Sequence, residues 1–193
     1  MVDWTDSEVV AACRRGRPEG FAQLLLRYQE RVYRRAYSFL HSREEALDLT
    51  QDVFLRVIEA LPRFEEGRPL WPWLRRITTN LCLNRLRSNP TLVSLDEAFA
   101  SGDGSGAVTR ADLLAAGTDV AESALGNVFG DDLRRAMAAL PPLHRVAVVL
   151  RHQEDLSYED IARLMDLPLG TIKTYLFRAR RSLRQSLAAS WEG

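Results

Sequence analysis

Residues Leu156 to Leu187 read LSYEDIARLMDLPLGTIKTYLFRARRSLRQSL, and this stretch decides the fold of the C-terminal part of the chain. Ser157 precedes Tyr158-Glu159-Asp160 and then the apolar spacing Ile161, Ala162, Leu164, Met165. Its hydroxyl can therefore cap the free amides of a short helix whose first turn is acidic. Asp166-Leu167-Pro168-Leu169-Gly170 breaks that helix, because proline cannot continue the hydrogen-bond ladder and Gly170 permits a sharp entry into the next element. Beyond it, Ile172, Leu176, Ala179 and Leu183 recur at helical spacing and form one apolar face, with Lys173, Thr174, Tyr175, Phe177 and Arg178 largely on the others. From Pro168 to Ser190 there are five basic residues (Lys173, Arg178, Arg180, Arg181 and Arg184) and no Asp or Glu. A capped helix, a short turn and a basic second helix form a helix-turn-helix pattern, whose natural partner is a polyanion. A basic amphipathic helix alone is as often a plain solvated face; the turn and the capped helix before it favour the binding reading.

The whole chain bounds what that element can belong to. At 193 residues with 46% hydrophobic content it can fold as two small domains with real cores. Its formal charge is zero, so affinity for nucleic acid must come from local patches. Met1 to Arg87 holds 15 Arg/Lys against 12 Asp/Glu, Ser88 to Asn127 holds 1 against 6, and Gly130 to Gly193 holds 10 against 8. An acidic middle segment thus separates two mildly basic blocks. Cys13 and Cys82 form no CxxC pattern and sit in apolar helical stretches, which points to buried reduced thiols and a cytoplasmic location. The sequence contains neither a secretory leader pattern nor an apolar run of membrane-spanning length, so no membrane insertion is expected.

In the first block, Asp6-Ser7 can cap a short helix through Val9, Val10, Ala12 and Cys13, interrupted by Gly16 and Pro18. A long helix over 19–40 follows, with Phe21, Leu24, Leu25, Tyr28, Val32, Ala36 and Phe39 as its apolar stripe. The next, over 44–61, turns Ala46, Leu49, Val53, Phe54, Val57, Ile58 and Leu61 inward, and Pro62 ends it. A polar loop, Arg63-Phe64-Glu65-Glu66-Gly67-Arg68-Pro69, leads into a helix with Pro72 in its first turn that runs through Arg87. That helix mixes Trp71 and Trp73 with Arg75, Arg76, Asn80, Asn84, Arg85 and Arg87. Aromatics beside guanidinium and amide groups suit single-stranded nucleic acid, although a tryptophan near a helix start is more often core. Residues 88–127 are Gly-, Ala- and Ser-rich and weakly periodic, and read as a linker in which Leu95, Phe99, Leu113 and Leu114 can dock transiently. The second block is expected to hold four helices, over 131–139, 142–153, 157–165 and 171–188, and no strand pattern competes anywhere.

Taken together, FAQLLLRYQERVYRRAY, EALDLTQDVFLRV and WPWLRRITTNLCLNRLR, followed by LPPLHRVAVVLRHQEDLSYEDIARLMDLPLGTIKTYLFRARRSLR, closely resemble the extracytoplasmic-function group of the sigma-70 family. These are dissociable promoter-recognition subunits of bacterial RNA polymerase. The resemblance covers nearly everything except the linker, and its strength lies in the order and spacing of the motifs. It implies an all-α fold with region 2 at 1–87, a flexible acidic linker at 88–128 and the region 4 helix-turn-helix at 129–193.

The resemblance also implies roles. The DLTQDVF helix would dock on the clamp coiled coil of the largest polymerase subunit through Asp48, Leu49, Gln51, Asp52 and Phe54, and region 4 would meet the flap. The loop from Phe64 to Leu70 and the helix after it would capture an unstacked base of the -10 element and hold melted DNA, with Phe64, Arg75, Arg76, Asn80 and Asn84 as the candidate residues. The family often has Asp near Asn84, so the amide would alter the preferred base. Thr171 and Lys173 would hold phosphates of the -35 element, and Thr174, Tyr175, Phe177, Arg178 and Arg181 would face the major groove or its backbone. Many relatives carry Ser-Arg where this chain has Thr174-Tyr175, which would shift the -35 preference. Asp166 stands where the turn commonly has Gly. The linker acids Asp96, Glu97, Asp103, Asp112, Asp119 and Glu122 would mimic nascent RNA in a basic channel. An anti-sigma factor is the implied regulator.

Two other functional classes fit the residues less well. A free-standing regulator would need only the C-terminal helix-turn-helix and leaves the WPWLRRITTNLCLNRLR element without a purpose. An enzyme is disfavoured, since His41, His144 and His152 are scattered and the sequence offers no metal-ligand spacing, phosphate-binding Gly loop or nucleophile elbow. No catalytic residue, metal or cofactor is therefore expected.

Overall fold

The computed structural model describes residues 4–88 and 129–189, and every regular element among them is a helix. In chain order they are α1 (Asp6–Arg14), α2 (Pro18–Leu40), α3 (Arg43–Ala60), a single 3-10 turn (Leu61–Arg63), α4 (Leu70–Arg87), α5 (Phe129–Ala139), α6 (Pro142–His152), α7 (Tyr158–Met165) and α8 (Leu169–Ala189). The chain divides into two units, Met1–Arg85 and Leu86–Gly193. The expectations placed on 89–128, including the linker acids, lie outside the described residues.

The first unit is a bundle whose long central helix is α2. Leu24, Val32, Ala36 and Phe39 of α2 are sealed from solvent with Val9 and Ala12 of α1, Ala46, Leu49, Val53 and Val57 of α3, and Leu70 and Leu74 of α4. This is the burial that a 3.6-residue periodicity demands when a stripe has neighbours on several sides. Gly20 lets α1 and α2 meet: a Cβ there would lie 2.7 Å from the Cys13 amide nitrogen and 2.8 Å from the Ala12 Cβ.

Three sequence expectations are corrected in this unit. Thr5, not Asp6-Ser7, caps α1, in a reciprocal capping box with Glu8. Asp6 is instead turned inward, where its carboxylate accepts from the Tyr28 hydroxyl at 2.6 Å and the Leu70 amide at 2.8 Å. Ile58, expected inward, is 42% exposed, as is 40% of Leu25, because each apolar run is wider than the face its helix buries.

In the second unit α8 lays Ile172, Leu176 and Ala179 against Val146, Val149 and Leu150 of α6 and Ile161 and Met165 of α7. Ser157 caps α7 by accepting from the Asp160 amide at 3.0 Å, as the sequence indicated. The helix-turn-helix turn differs in detail. Helix α8 starts at Leu169, so Gly170 lies inside its first turn, and the left-handed residue is Asp166, with φ 50° and ψ 49°. The sharp turn therefore comes from Asp166, and Pro168 sits just ahead of the new helix, where its missing N–H costs nothing.

Candidate nucleic-acid interface

Helix α4 carries one polar face made of Arg76, Asn80 and Asn84, all exposed and spaced four residues apart, so that they fall within about 80° of the helix circumference. Exposed amides and a guanidinium in line can donate to base edges and phosphates along a strand. Arg75 stands about 140° round from Asn80, on the flank facing α2, and does not join this face. On that flank the Arg35 guanidinium donates to the Thr79 hydroxyl, with its Nη2 at 2.6 Å and its Nε at 3.0 Å.

The aromatic residues around α4 are committed to packing. Phe64 is 8% exposed and lies against Trp73, ring centroids 4.7 Å apart. The resemblance places Phe64 among the residues for DNA; in the structure its ring anchors the loop to α4. Trp71 stacks on Tyr28 at 6.4 Å, and the Arg31 guanidinium lies 4.0 Å from the Trp71 ring centroid. Trp73 is partly exposed beside Arg76 and is the aromatic surface nearest the polar face.

Of the five residues assigned to polymerase on α3, Asp48, Gln51 and Asp52 are exposed, while Leu49 and Phe54 are 1% and 6% exposed and belong to the core. Asp52 is paired across to Arg85 of α4 at 3.3 Å. The sequence reading missed an apolar surface beside these residues. Leu25 and Leu26 of α2 and Leu47, Leu55 and Ile58 of α3 are exposed. Phe21, Leu25, Gln51, Leu55 and Ile58 line a groove between the two helices. The available signal was the Leu24-Leu25-Leu26 run, since three successive leucines cannot all face one side of a helix.

On α8, Thr171, Thr174, Arg178 and Arg181 fall within about 80° of one another, opposite the buried Ile172-Leu176-Ala179 face. Arg181 is exposed and the other three partly so; Phe177 lies about 40° beyond Arg181, and Lys173 about 80° beyond it, off the stripe. The Thr174 hydroxyl donates to the Gly170 carbonyl at 2.9 Å, which draws it back along the helix. Tyr175 departs from expectation: its ring packs on the fully buried His144 of α6, centroids 4.3 Å apart, and so lies toward the core side of α8. Arg180 ties α8 to α7 by donating to the Tyr158 hydroxyl at 3.2 Å.

Residues 24–90 match Sigma-70 region 2, and residues 130–183 match Sigma-70, region 4. The chain belongs to the extracytoplasmic-function sigma factors of the sigma-70 family. This sigma factor is 31% identical over 188 residues to the RNA polymerase sigma-H factor of Pseudomonas aeruginosa, covering 94% of this chain and 93% of that one. It is 30% identical to the ECF RNA polymerase sigma-E factor of Escherichia coli, covering 93% and 92%. Among solved structures it is similar to the sigma factor RpoE of Bartonella quintana, crystallised with the anti-sigma factor NepR, at a TM-score of 0.52 and 26% identity over 87% of this chain and 96% of that one. CnrH, solved with the cytosolic domain of CnrY, shares the fold at a TM-score of 0.50 and 22% identity, covering 95% of this chain and 97% of that one.

Sigma factors are transcription initiation factors and not enzymes. No helix among the described residues is long and apolar enough to cross a membrane.

Proposed function

We propose that this sigma factor works in the cytoplasm, where it binds core RNA polymerase and directs it to promoters with paired -35 and -10 elements. The region spanning 1–87 binds polymerase and opens the -10 element, 88–128 is the tether, and 129–193 reads the -35 duplex. The observation that carries this reading is the presence of two chemically different polar faces, one in each unit. The α8 stripe of Thr171, Thr174, Arg178 and Arg181 suits a duplex groove and its phosphates. The α4 face of Arg76, Asn80 and Asn84 offers amides for unpaired bases. Polymerase docking uses Asp48, Gln51 and the exposed leucines of α2 and α3, an apolar centre with a polar rim. The complex of RpoE with NepR supports control by an anti-sigma factor in this chain too.

Run-off transcription from fragmented genomic DNA, with bacterial core polymerase and the purified chain, tests the proposal. New defined start sites that share two upstream elements and disappear in Asn80→Ala or Arg178→Ala support it. Sequence-specific binding without polymerase and without new start sites would make the chain a free-standing regulator instead.

A further inference from the structure

Helix α1 precedes the segment 24–90 that matches region 2, yet its side chains hold both ends of the loop that leads into α4. At one end the Arg14 guanidinium donates to the carbonyls of Leu61 at 3.2 Å, Pro62 at 3.4 Å and Phe64, and its Nη1 meets the Glu66 carboxylate. At the other end Asp6 accepts the Leu70 amide at 2.8 Å, satisfying one of the free N–H groups at the start of α4 from a residue 64 positions earlier. Its second oxygen accepts from Tyr28 at 2.6 Å, which fixes the carboxylate against α2.

Beyond α1 and the Phe64 ring packed on Trp73, little holds the loop. Within it the Arg68 amide reaches the Glu65 carbonyl only at 3.5 Å, and the Arg68–Glu65 ion pair is exposed. Gly67 has φ 83° and nothing within 4 Å of an added Cβ. The fixed body is α1, locked by its Thr5–Glu8 capping box and by the close approach at Gly20. A loop ordered before DNA arrives does not lose its conformational freedom on binding, and that saving appears as affinity.

We infer that α1 is a brace for the -10 capture loop, with Arg14 and Asp6 as positioning residues that preset 64–69 and the start of α4 for an unstacked base. The inference rests on the reading of the Asn80 face as the single-strand surface. Arg14 itself touches no DNA in this scheme. It acts through the four groups between Leu61 and Glu66, two in the 3-10 turn and two in the loop, that its planar fork reaches together, a geometry that a lysine ammonium cannot reproduce.

The test uses holoenzyme made from the full chain and bacterial core polymerase, with a single-stranded DNA pool randomised at every position as the probe. Wild type selects a preferred sequence, and each variant is measured on the pool, on that sequence and on duplex DNA. Arg14→Ala is expected to flatten the selection and weaken binding of the preferred strand roughly tenfold, the order of one or two lost hydrogen bonds, with duplex affinity unchanged. Arg14→Lys is expected to remain as defective, and it carries the comparison should Arg14→Ala lower the melting midpoint of the chain. A wild-type selection profile in either Arg14 variant overturns the brace. Asn80→Ala separates the two readings: if it flattens selection while the Arg14 variants do not, only the brace fails, and if it too selects like wild type, the single-strand surface itself has been misassigned.

Discussion

Tyr175 of α8 lies ring on ring with His144 of α6, centroids 4.3 Å apart and planes inclined by 32°. His144 is fully buried, so the contact belongs to the packing that seats the second helix of the helix-turn-helix on its support. Tyr175 therefore sets the seat of the helix, and in the proposed function duplex DNA is read by the stripe that includes Arg178. Tyr175→Phe keeps the ring contact and is expected to leave duplex affinity within about twofold of wild type, since the aromatic packing survives. Arg178→Ala is expected to cost about 1–3 kcal/mol, the usual worth of a good base contact. Fluorescence anisotropy on a duplex taken from a mapped start site checks both, and equal losses would place Tyr175 in the groove.

Asp166 closes α7 with φ 50°, a left-handed conformation that a glycine adopts without strain. Asp166→Gly should stabilise the second unit by about 0.5–1 kcal/mol, the relief of that strain less the extra freedom of the unfolded chain. The residue is exposed and lies outside the α8 stripe, so duplex binding should not change. Denaturant midpoints followed by circular dichroism decide it; a lower midpoint would mean that the Asp166 side chain contributes more than its backbone costs.

Periodicity made the helices legible, because each buried stripe has the spacing of one helical face. The same rule makes Arg76, Asn80 and Asn84 legible as a set and separates Arg75 from them, since Arg75 stands about 140° from Asn80. Long-range contacts were not legible. That Asp6 serves Leu70 and Tyr28 in place of its own helix depends on how α1 meets α2 and α4. The motifs assign Phe64, Leu49 and Phe54 to partners, while periodicity already turns Leu49 and Phe54 inward; all three are buried, because motif positions include residues that support a surface from beneath. Of the exposed apolar residues of α2 and α3, Leu25 and Ile58 fall within the apolar stripes and so read as core, while Leu26, Leu47 and Leu55 lie off them; one face cannot hold every apolar side chain of such helices.

At Gly20 the backbones of α1 and α2 approach closely. In an open helix Gly→Ala gains about 1 kcal/mol from propensity. Here the new methyl would stand 2.7 Å from the Cys13 nitrogen and 2.9 Å from the Ala12 carbonyl carbon, and backbone cannot swing aside as a flexible side chain can. Overpacking of this kind costs about 1–3 kcal/mol, so Gly20→Ala should lower the stability of the first unit despite its better helix propensity. Thermal melts would show a depressed transition, whereas a raised midpoint would mean that α1 moves off α2 freely.

Both cysteines should be chemically silent in the native protein. Burial pushes the Cys82 thiol up to about 12 against the pull of Arg35 and Arg85, and burial also raises Cys13. Since the thiolate is the nucleophile, neither should react with a thiol-exchange reagent at about pH 8, and both should react once the chain is unfolded in guanidinium. The same shifts bear on stability. Above the ordinary cysteine value of 9 the unfolded chain releases its thiol protons while folded Cys82 keeps its own to about 12, so stability is lost as pH rises through that window. Tyr28, raised by burial and by its bond to Asp6, acts in the same direction from its ordinary value of 10 upward. Arg145 opposes them only above about 10, where its burial-lowered group begins to lose its proton in the folded state. The urea midpoint is therefore expected to fall between about pH 8 and 10 and to fall less in Cys82→Ala. Rapid labelling of the native chain, or a midpoint that rises over this range, would place the Cys82 thiol in contact with solvent.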